Sequence, residues 1–411
     1  MILPFFLVSC SDTENNFNAP IPIKVVVVTM FDRGVDGEFY RWQDRRKLDT
    51  VFEAPNMHHD IHVNLETGVM GIVTGMATAN SAASIMALGL DSRFDLTSAY
   101  WLVVGIAGFD PEDASLGSVA IADFLVDGDL AHEIDSREIP DDWSDGFFPL
   151  FSKGPNDENR KNYQIGEVFQ LKKTFVDWAY NLTNSIELYD DEKLSLIRDL
   201  YVDYPQAVRK PFVLRGDQLA AMTFWHGNML NDWANRWVDY WSKGEGEFVS
   251  SAMEDTGTFQ SLDYLDRGGY VDKDRLLVIR TASNFTIPAP NVSAVDNLLN
   301  EQHGGYTGLE VALENGYIVG SKIIDELLTD WQIYKNNDKM NKVFIPKIPH
   351  IFPVTRMVRD NTFVRDVLIY DETKKIQPRL SWYDPLDTSW VPKNWFQDGL
   401  VSDMKYYFSK K

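Results

Sequence analysis

The pattern of apolar and polar positions divides the chain into alternating strand and helix signals. Residues 23–29, Ile-Lys-Val-Val-Val-Val-Thr, are a β-branched run of the kind buried on both faces of a parallel sheet. A loop with two glycines, Gly34 and Gly37, follows at 30–44. The stretch 67–90 carries no charge and has the length of a spanning helix. Its interior holds Thr74-Gly75 and Thr78-Ala79-Asn80-Ser81, so it predicts instead a strand at 68–74, a tight turn and a small-residue helix at 77–88. A second apolar strand, 100–104, runs into Gly105-Ile106-Ala107-Gly108, read as a turn that needs small residues. Another strand is expected at 119–126.

Residues 127–159 are acidic and irregular, which predicts a surface excursion. Helical periodicity returns at 169–183 and 191–201. A short strand at 212–215 ends at Gly216-Asp217. Further helices are expected at 230–241, which is rich in tryptophan, and at 253–265. A final core strand at 276–280 and a long helix at 311–331 close the pattern. Strands alternating with helices predict an α/β fold, with a mostly parallel central sheet flanked by helices. Periodicity weakens after 336, where proline and aromatic residues rise. The expected organisation is a leader and linker at 1–20, one large domain at 21–335 and a C-terminal appendage at 336–411.

Charge narrows the partners. The 411 residues include 39 Lys and Arg against 61 Asp and Glu, a net of −22, which disfavours nucleic-acid binding but costs a neutral small ligand little. The one cysteine, Cys10, excludes an intramolecular disulfide and a cysteine-based metal site. It ends a short apolar run, Leu7-Val8-Ser9-Cys10, and precedes a polar stretch. The run resembles a bacterial lipoprotein signal without the usual Lys or Arg at its start. Exported, lipid-anchored protein is therefore one expectation, with the membrane touched only through that anchor. An accidental apolar N-terminus is the other. No second uncharged stretch of spanning length occurs, which argues against a multi-span transporter.

In open α/β sheets, ligands bind beyond the carboxyl ends of the strands. Here those ends carry polar or glycine-rich segments: Thr29 to Asp32, Thr74-Gly75-Met76, Gly105 to Gly108, Gly216-Asp217 and Thr281 to Phe285. The most informative segment is Ser251-Ala252-Met253-Glu254-Asp255. A carboxylate there can accept two hydrogen bonds from a vicinal diol while the thioether packs on a sugar ring. Equally, Glu254 and Asp255 suit the positive end of a helix dipole. His58, His59 and His62, with Asp60 between them, read as a solvated turn rather than a metal site. Glu38 could serve as an acid, although first loops of this kind usually carry carboxylates for solubility.

Taken together, the Met-Glu pair, the strand 276–284 that follows it and the two glycine segments 74–80 and 105–108 resemble the nucleoside phosphorylases and nucleosidases. A closer resemblance, over roughly 23–331, is to the purine nucleoside permease family. It is carried by 71–90, 101–134, 223–241, 251–257 and 280–285. The resemblance implies a phosphorylase-like three-layer fold and purine nucleosides as partners. It implies that Met253 and Glu254 hold the ribose and that Ser283, Asn284 and Phe285 address the base. Phe224, Trp225 and His226 would join them there. Should cleavage occur, Asn284 and Glu254 would be its catalytic groups. The nucleophile or an anion would be held near Thr74, Gly75, Asn80, Gly105, Ala107 and Gly108. Ile106 stands where phosphorylases carry a serine, which weakens a phosphate site. Three readings are open: nucleoside binding or uptake, a purine nucleosidase or phosphorylase, and a non-catalytic storage or structural relative. No cofactor is expected, phosphate being a co-substrate only for phosphorolysis, and relatives of this kind form homo-oligomers.

Overall fold

The computed structural model describes residues 19–155, 157 and 164–336, together with the strand residues of a C-terminal unit. Met1–Met340 form one compact unit and Asn341–Lys411 a second. The second holds an antiparallel sheet of Ile351–Pro353, Val367–Tyr370 and Ile376–Arg379, and a hairpin of Met357–Arg359 with Thr362–Val364. Cys10 and its apolar run lie outside the described residues.

The first unit is built on a twelve-stranded sheet. At its centre Val25–Thr29 lies between Val69–Val73 and Tyr100–Phe109, all three parallel. Every residue of Val25–Thr29 and Val69–Val73 is buried, as expected for strands covered on both faces. Tyr100–Phe109 also pairs in parallel with Leu276–Phe285, which is buried along its whole length. Antiparallel strands occur at the margins, at Thr50–Phe52 and Ile61–Asn64 on one side and Val168–Gln170 on the other. The helix Leu309–Thr329 packs on the central strands, with Gly316 and Gly320 letting it approach Val104. Arg41 and Arg45 tie the short helix Tyr40–Arg45 to Glu310 and Glu314 of that long helix.

Several expectations need correction. Gly105 to Gly108 make no turn, because Tyr100–Phe109 continues straight through them. Glycine is required at 105 by close approach: a Cβ there would stand 1.9 Å from Met30 Cε, 2.6 Å from Glu38 Oε1 and 2.7 Å from Arg280 Nη1. The single strand expected at 119–126 is two, Val119–Ile121 and Phe124–Asp127. Between them the backbone N–H groups of Asp123 and Phe124 donate to Asp217 Oδ1, at 2.9 and 2.6 Å. The helix expected from 169 starts only at Lys173. Val168–Gln170 instead pairs with Phe124–Val126, and Phe169 stacks on Phe259. The strands Asp217–Ala220 and Phe248–Ala252 and the helix Ala294–Gly304 were not expected at all.

Candidate functional site

Phe248–Ala252 pairs with Tyr100–Phe109 and delivers Met253 and Glu254 to the sheet edge, immediately before the helix Asp255–Arg267. Glu254 is buried and fixed from three sides. Its Oε1 accepts the Ala77 N–H at 3.1 Å, while Oε2 accepts the Met253 N–H at 3.2 Å and Arg280 Nη2 at 3.0 Å. Ala77 achieves this with φ +80°, a left-handed conformation that costs a non-glycine residue. Thr78 completes the junction by donating its hydroxyl to the Met253 carbonyl at 3.0 Å.

Arg280 is the hub, although in sequence it stands only as the last residue of an apolar strand. Its guanidinium is 2% exposed and faces three carboxylates. Nε and Nη2 grip Asp255 at 3.1 and 2.6 Å, Nη2 also reaches Glu254, and Nη1 donates to the Ile106 carbonyl at 3.2 Å. Burial would lower the Arg280 pKa, but Asp255, Glu254 and Glu38 reverse that and hold it raised. Asp255, expected only as a dipole partner, is therefore one half of a buried ion pair.

Glu38 is not the solvated acid the loop suggested. It is buried, with Oε2 accepting the Met30 N–H at 2.7 Å and Oε1 accepting the Ile106 N–H at 2.8 Å. Burial pushes its pKa up to about 7, the Arg280 charge and the two amide donors only partly countering it. Burial likewise raises Glu254 above the usual carboxylate range, with Arg280 opposing. One guanidinium thus faces Glu254, Asp255 and Glu38 together.

The end of the strand Leu276–Phe285 is arranged differently. In the register with Tyr100–Phe109, Ala282 faces Ala107 and Asn284 faces Gly108, so Ser283 is an extra residue. This bulge re-aims the strand end from Asn284 onward. Ser283 donates its hydroxyl to Asn284 Oδ1 at 2.9 Å, leaving Asn284 Nδ2 only a long contact of 3.4 Å to the Phe285 carbonyl. Gly227 N–H donates to the Thr286 carbonyl at 2.9 Å, which docks the 223–227 loop beside this strand end. Phe224 is exposed there, and neither ring nitrogen of His226 has a partner among the described residues. Burial lowers the His226 pKa, favouring the neutral imidazole.

Other expected residues fall elsewhere. Phe285 packs against Tyr201 at 4.3 Å, inside an apolar cluster. Trp225 packs against Trp233 and Phe248. Thr74 spends its hydroxyl on the carbonyls of Gly75 and Thr29. Asn80 is exposed and donates to the Met76 carbonyl at 2.7 Å, while Gly75 lies against the His58 ring. The Ile106 N–H, a candidate anion donor, belongs to Glu38. Ala107 accepts the Ser283 hydroxyl on its carbonyl, and Gly108 abuts Asn284. His62 is buried on the strand Ile61–Asn64, and no metal-holding group of three or more ligands occurs among the described residues. A cavity of about 250 Å³ between Phe147, Trp233, Arg236 and Tyr240 contains none of these groups.

An α/β domain with a mostly parallel central sheet flanked by helices, carrying a buried carboxylate–guanidinium cluster at the strand ends, is the class that fold and site define. The profile described as "Purine nucleoside permease (NUP)" matches residues 22–339, so the chain belongs to the purine nucleoside permease family. It is 33% identical to a purine nucleoside permease of Candida albicans over 80% of this chain and 82% of that protein. To the probable purine nucleoside permease C285.05 of Schizosaccharomyces pombe it is 29% identical over 76% and 90% respectively. Among solved structures it is similar to the Streptococcus pneumoniae MTA/SAH nucleosidase in complex with 8-aminoadenine. That likeness has 16% identity and a TM-score of 0.44, over 74% of this chain and 99% of the other. Among the described residues no helix is long and apolar enough to cross a membrane.

Proposed function

We propose that this chain binds purine nucleosides, and takes part in their uptake, through the strand-end site of its first unit. The observation that carries this reading is Glu254. Its carboxylate is fixed by two amides and Arg280 beside the half-buried Met253, as recognition of a sugar diol requires. Asn284 Nδ2, with only its long contact, is the donor assigned to a purine ring nitrogen. A neutral nucleoside suits this acidic site. A phosphate dianion does not, since Arg280 is already engaged by Asp255 and Glu254 and the remaining charge is negative. The apolar run before Cys10 supports export with lipid attachment at that cysteine, and loss of acyl labelling in Cys10→Ala tests it.

A second reading, hydrolysis of the glycosidic bond, is favoured by Glu38. A carboxyl titrating near 7, held at the Ile106 amide and facing Arg280, has the properties of a general base for water. Water would lose its proton to Glu38 and bond to the anomeric carbon while the base departs with the glycosidic electron pair. Glu254 would hold the sugar hydroxyls, and Asn284 would hydrogen-bond the leaving base. Purified protein incubated with inosine, guanosine or adenosine, with and without phosphate, separates the readings. Saturable binding without free base supports uptake or delivery; free base in both buffers supports hydrolysis. Free base only with phosphate contradicts the charge argument, and neither binding nor turnover overturns the nucleoside reading.

A further inference from the structure

We infer that Asp110 is a positioning residue for the strand end that carries Asn284, acting through Asn231 and Thr286. The inference rests on the riboside reading above and adds three residues that no sequence motif singled out. Asp110, Asn231 and Thr286 are 1%, 6% and 3% exposed. Asp110 Oδ2 accepts the side-chain amides of Asn231 at 2.7 Å and Asn235 at 2.8 Å, both on the helix Asn228–Ser242. An ionised carboxylate can only accept, so it fixes which way the Asn231 amide points. Nδ2 is turned to Asp110, and Oδ1 is left to accept the Thr286 hydroxyl at 2.6 Å.

Backbone bonds close the circuit. Thr286 donates its N–H to the Phe109 carbonyl at 2.9 Å, beside Asp110 in the chain, and its own carbonyl accepts the Gly227 N–H at 2.9 Å. The Gly227 carbonyl in turn accepts the Asn231 N–H at 2.9 Å. Thr286 lies just beyond Asn284, and Gly227 directly follows His226. The bulge at Ser283 shifts the register before this stretch, so the direction of the strand end depends on bonds outside the ladder. One carboxylate therefore orients both segments with spare hydrogen-bonding capacity, those of the Asn284 amide and the His226 ring. A carboxylate serving only the helix dipole would bond the first-turn amides. Asp110 bonds none of them among the described residues, and its Oδ1 accepts the Glu112 N–H at 3.0 Å instead.

Calorimetric titration of the full chain with hypoxanthine tests the assignment. Asp110→Leu and Thr286→Val should each weaken binding about five- to hundredfold, the range for a misplaced buried hydrogen bond. Thr286→Val exchanges a hydroxyl for a methyl of similar shape, so it carries the test should Asp110→Leu fail to fold. Asp110→Asn can still accept the Asn231 amide and should recover most of the affinity that Asp110→Leu loses. An Asp110→Asn chain as weak as Asp110→Leu would make the role one of charge alone and overturns the inference. In an Asn284→Ala background, Asp110→Leu should cost less than about twofold more, because the group it positions is gone. Full additivity of the two substitutions marks general destabilisation and overturns the inference. So does a folded Asp110→Leu or Thr286→Val chain within about twofold of wild type, which leaves the riboside reading intact. A wild-type chain that binds no purine overturns both.

Discussion

Around Glu254 both oxygens of each carboxylate are occupied, whereas around Asn284 and His226 donors and acceptors are left over. Arg280, Asp255 and Glu254 form a tightly bonded buried cluster, joined through the Ile106 backbone to Glu38, with Glu254 Oε1 accepting a single bond. That half of the site is organised before any ligand arrives, with the order set by covalently fixed amides and a guanidinium that cannot be deprotonated. The other half holds an exposed phenylalanine, an imidazole whose two nitrogens have no partner among the described residues, and an asparagine amide with one long contact. Its polar atoms are costly to bury unpaired, so they gain most from a ligand that supplies partners. The contrast suits the proposed placement of the sugar at the rigid half and the base at the adaptable half.

Removing the hub should have the largest effect. Arg280→Met leaves Glu254 and Asp255 buried without their counter-charge, and unfolding in urea should show a loss of about 3–5 kcal/mol. A loss below about 1 kcal/mol would mean that the cluster is not the organised element described. Gly105→Ala comes next, because the added methyl meets Met30, Glu38 and Arg280 together. Overpacking of about 1–3 kcal/mol is expected, with a loss of inosine affinity that calorimetry would detect. Unchanged affinity would separate Gly105 from the site.

Glu38 contributes to the pH dependence, its pKa rising from an ordinary 4.5 to about 7 in the folded chain, beside other carboxyls raised by burial: Asp113 to about 8, Glu301 to about 7 and Asp217 to about 6. Between those values the folded state binds more protons than the unfolded one, so stability falls as pH rises. The contribution is complete below about 4.5 and is lost through 7, on the order of 3 kcal/mol in total. Glu38→Gln should make the fall in stability between pH 5 and 8 shallower than in wild type, the share of Asp113, Asp217 and Glu301 remaining. Parallel profiles would show that Glu38 keeps its ordinary pKa. The smallest effect is expected at Ala77, whose φ of +80° favours glycine. Ala77→Gly should raise stability by up to about 1 kcal/mol without weakening inosine, and a clear loss would contradict the strain assignment.

The central strands were legible because runs such as Val25 to Val28 have no other stable use than burial in a sheet. Glu254 was legible because a Met-Glu pair is a local signal. Arg280 was not: its charge marks the end of an apolar run, and its partners Glu254 and Asp255 precede it by 26 and 25 positions. Glu38 was misread for the same reason, since one of the amides that hold it, Ile106 N–H, lies 68 positions away. Gly105 looked like turn chemistry, although the glycine serves a close approach of three side chains to an extended backbone. The strand Phe248–Ala252 was missed because Ser250-Ser251 breaks its apolar pattern, while sheet pairing on both sides holds it extended.

The division of labour between the two halves rests most directly on Glu254. Glu254→Gln keeps the shape and removes the charge proposed to hold the sugar hydroxyls. Titrated with inosine and with hypoxanthine, it should lose at least tenfold in affinity for the riboside and less than threefold for the free base. Equal losses for both ligands would contradict the assignment of the sugar to this end of the site.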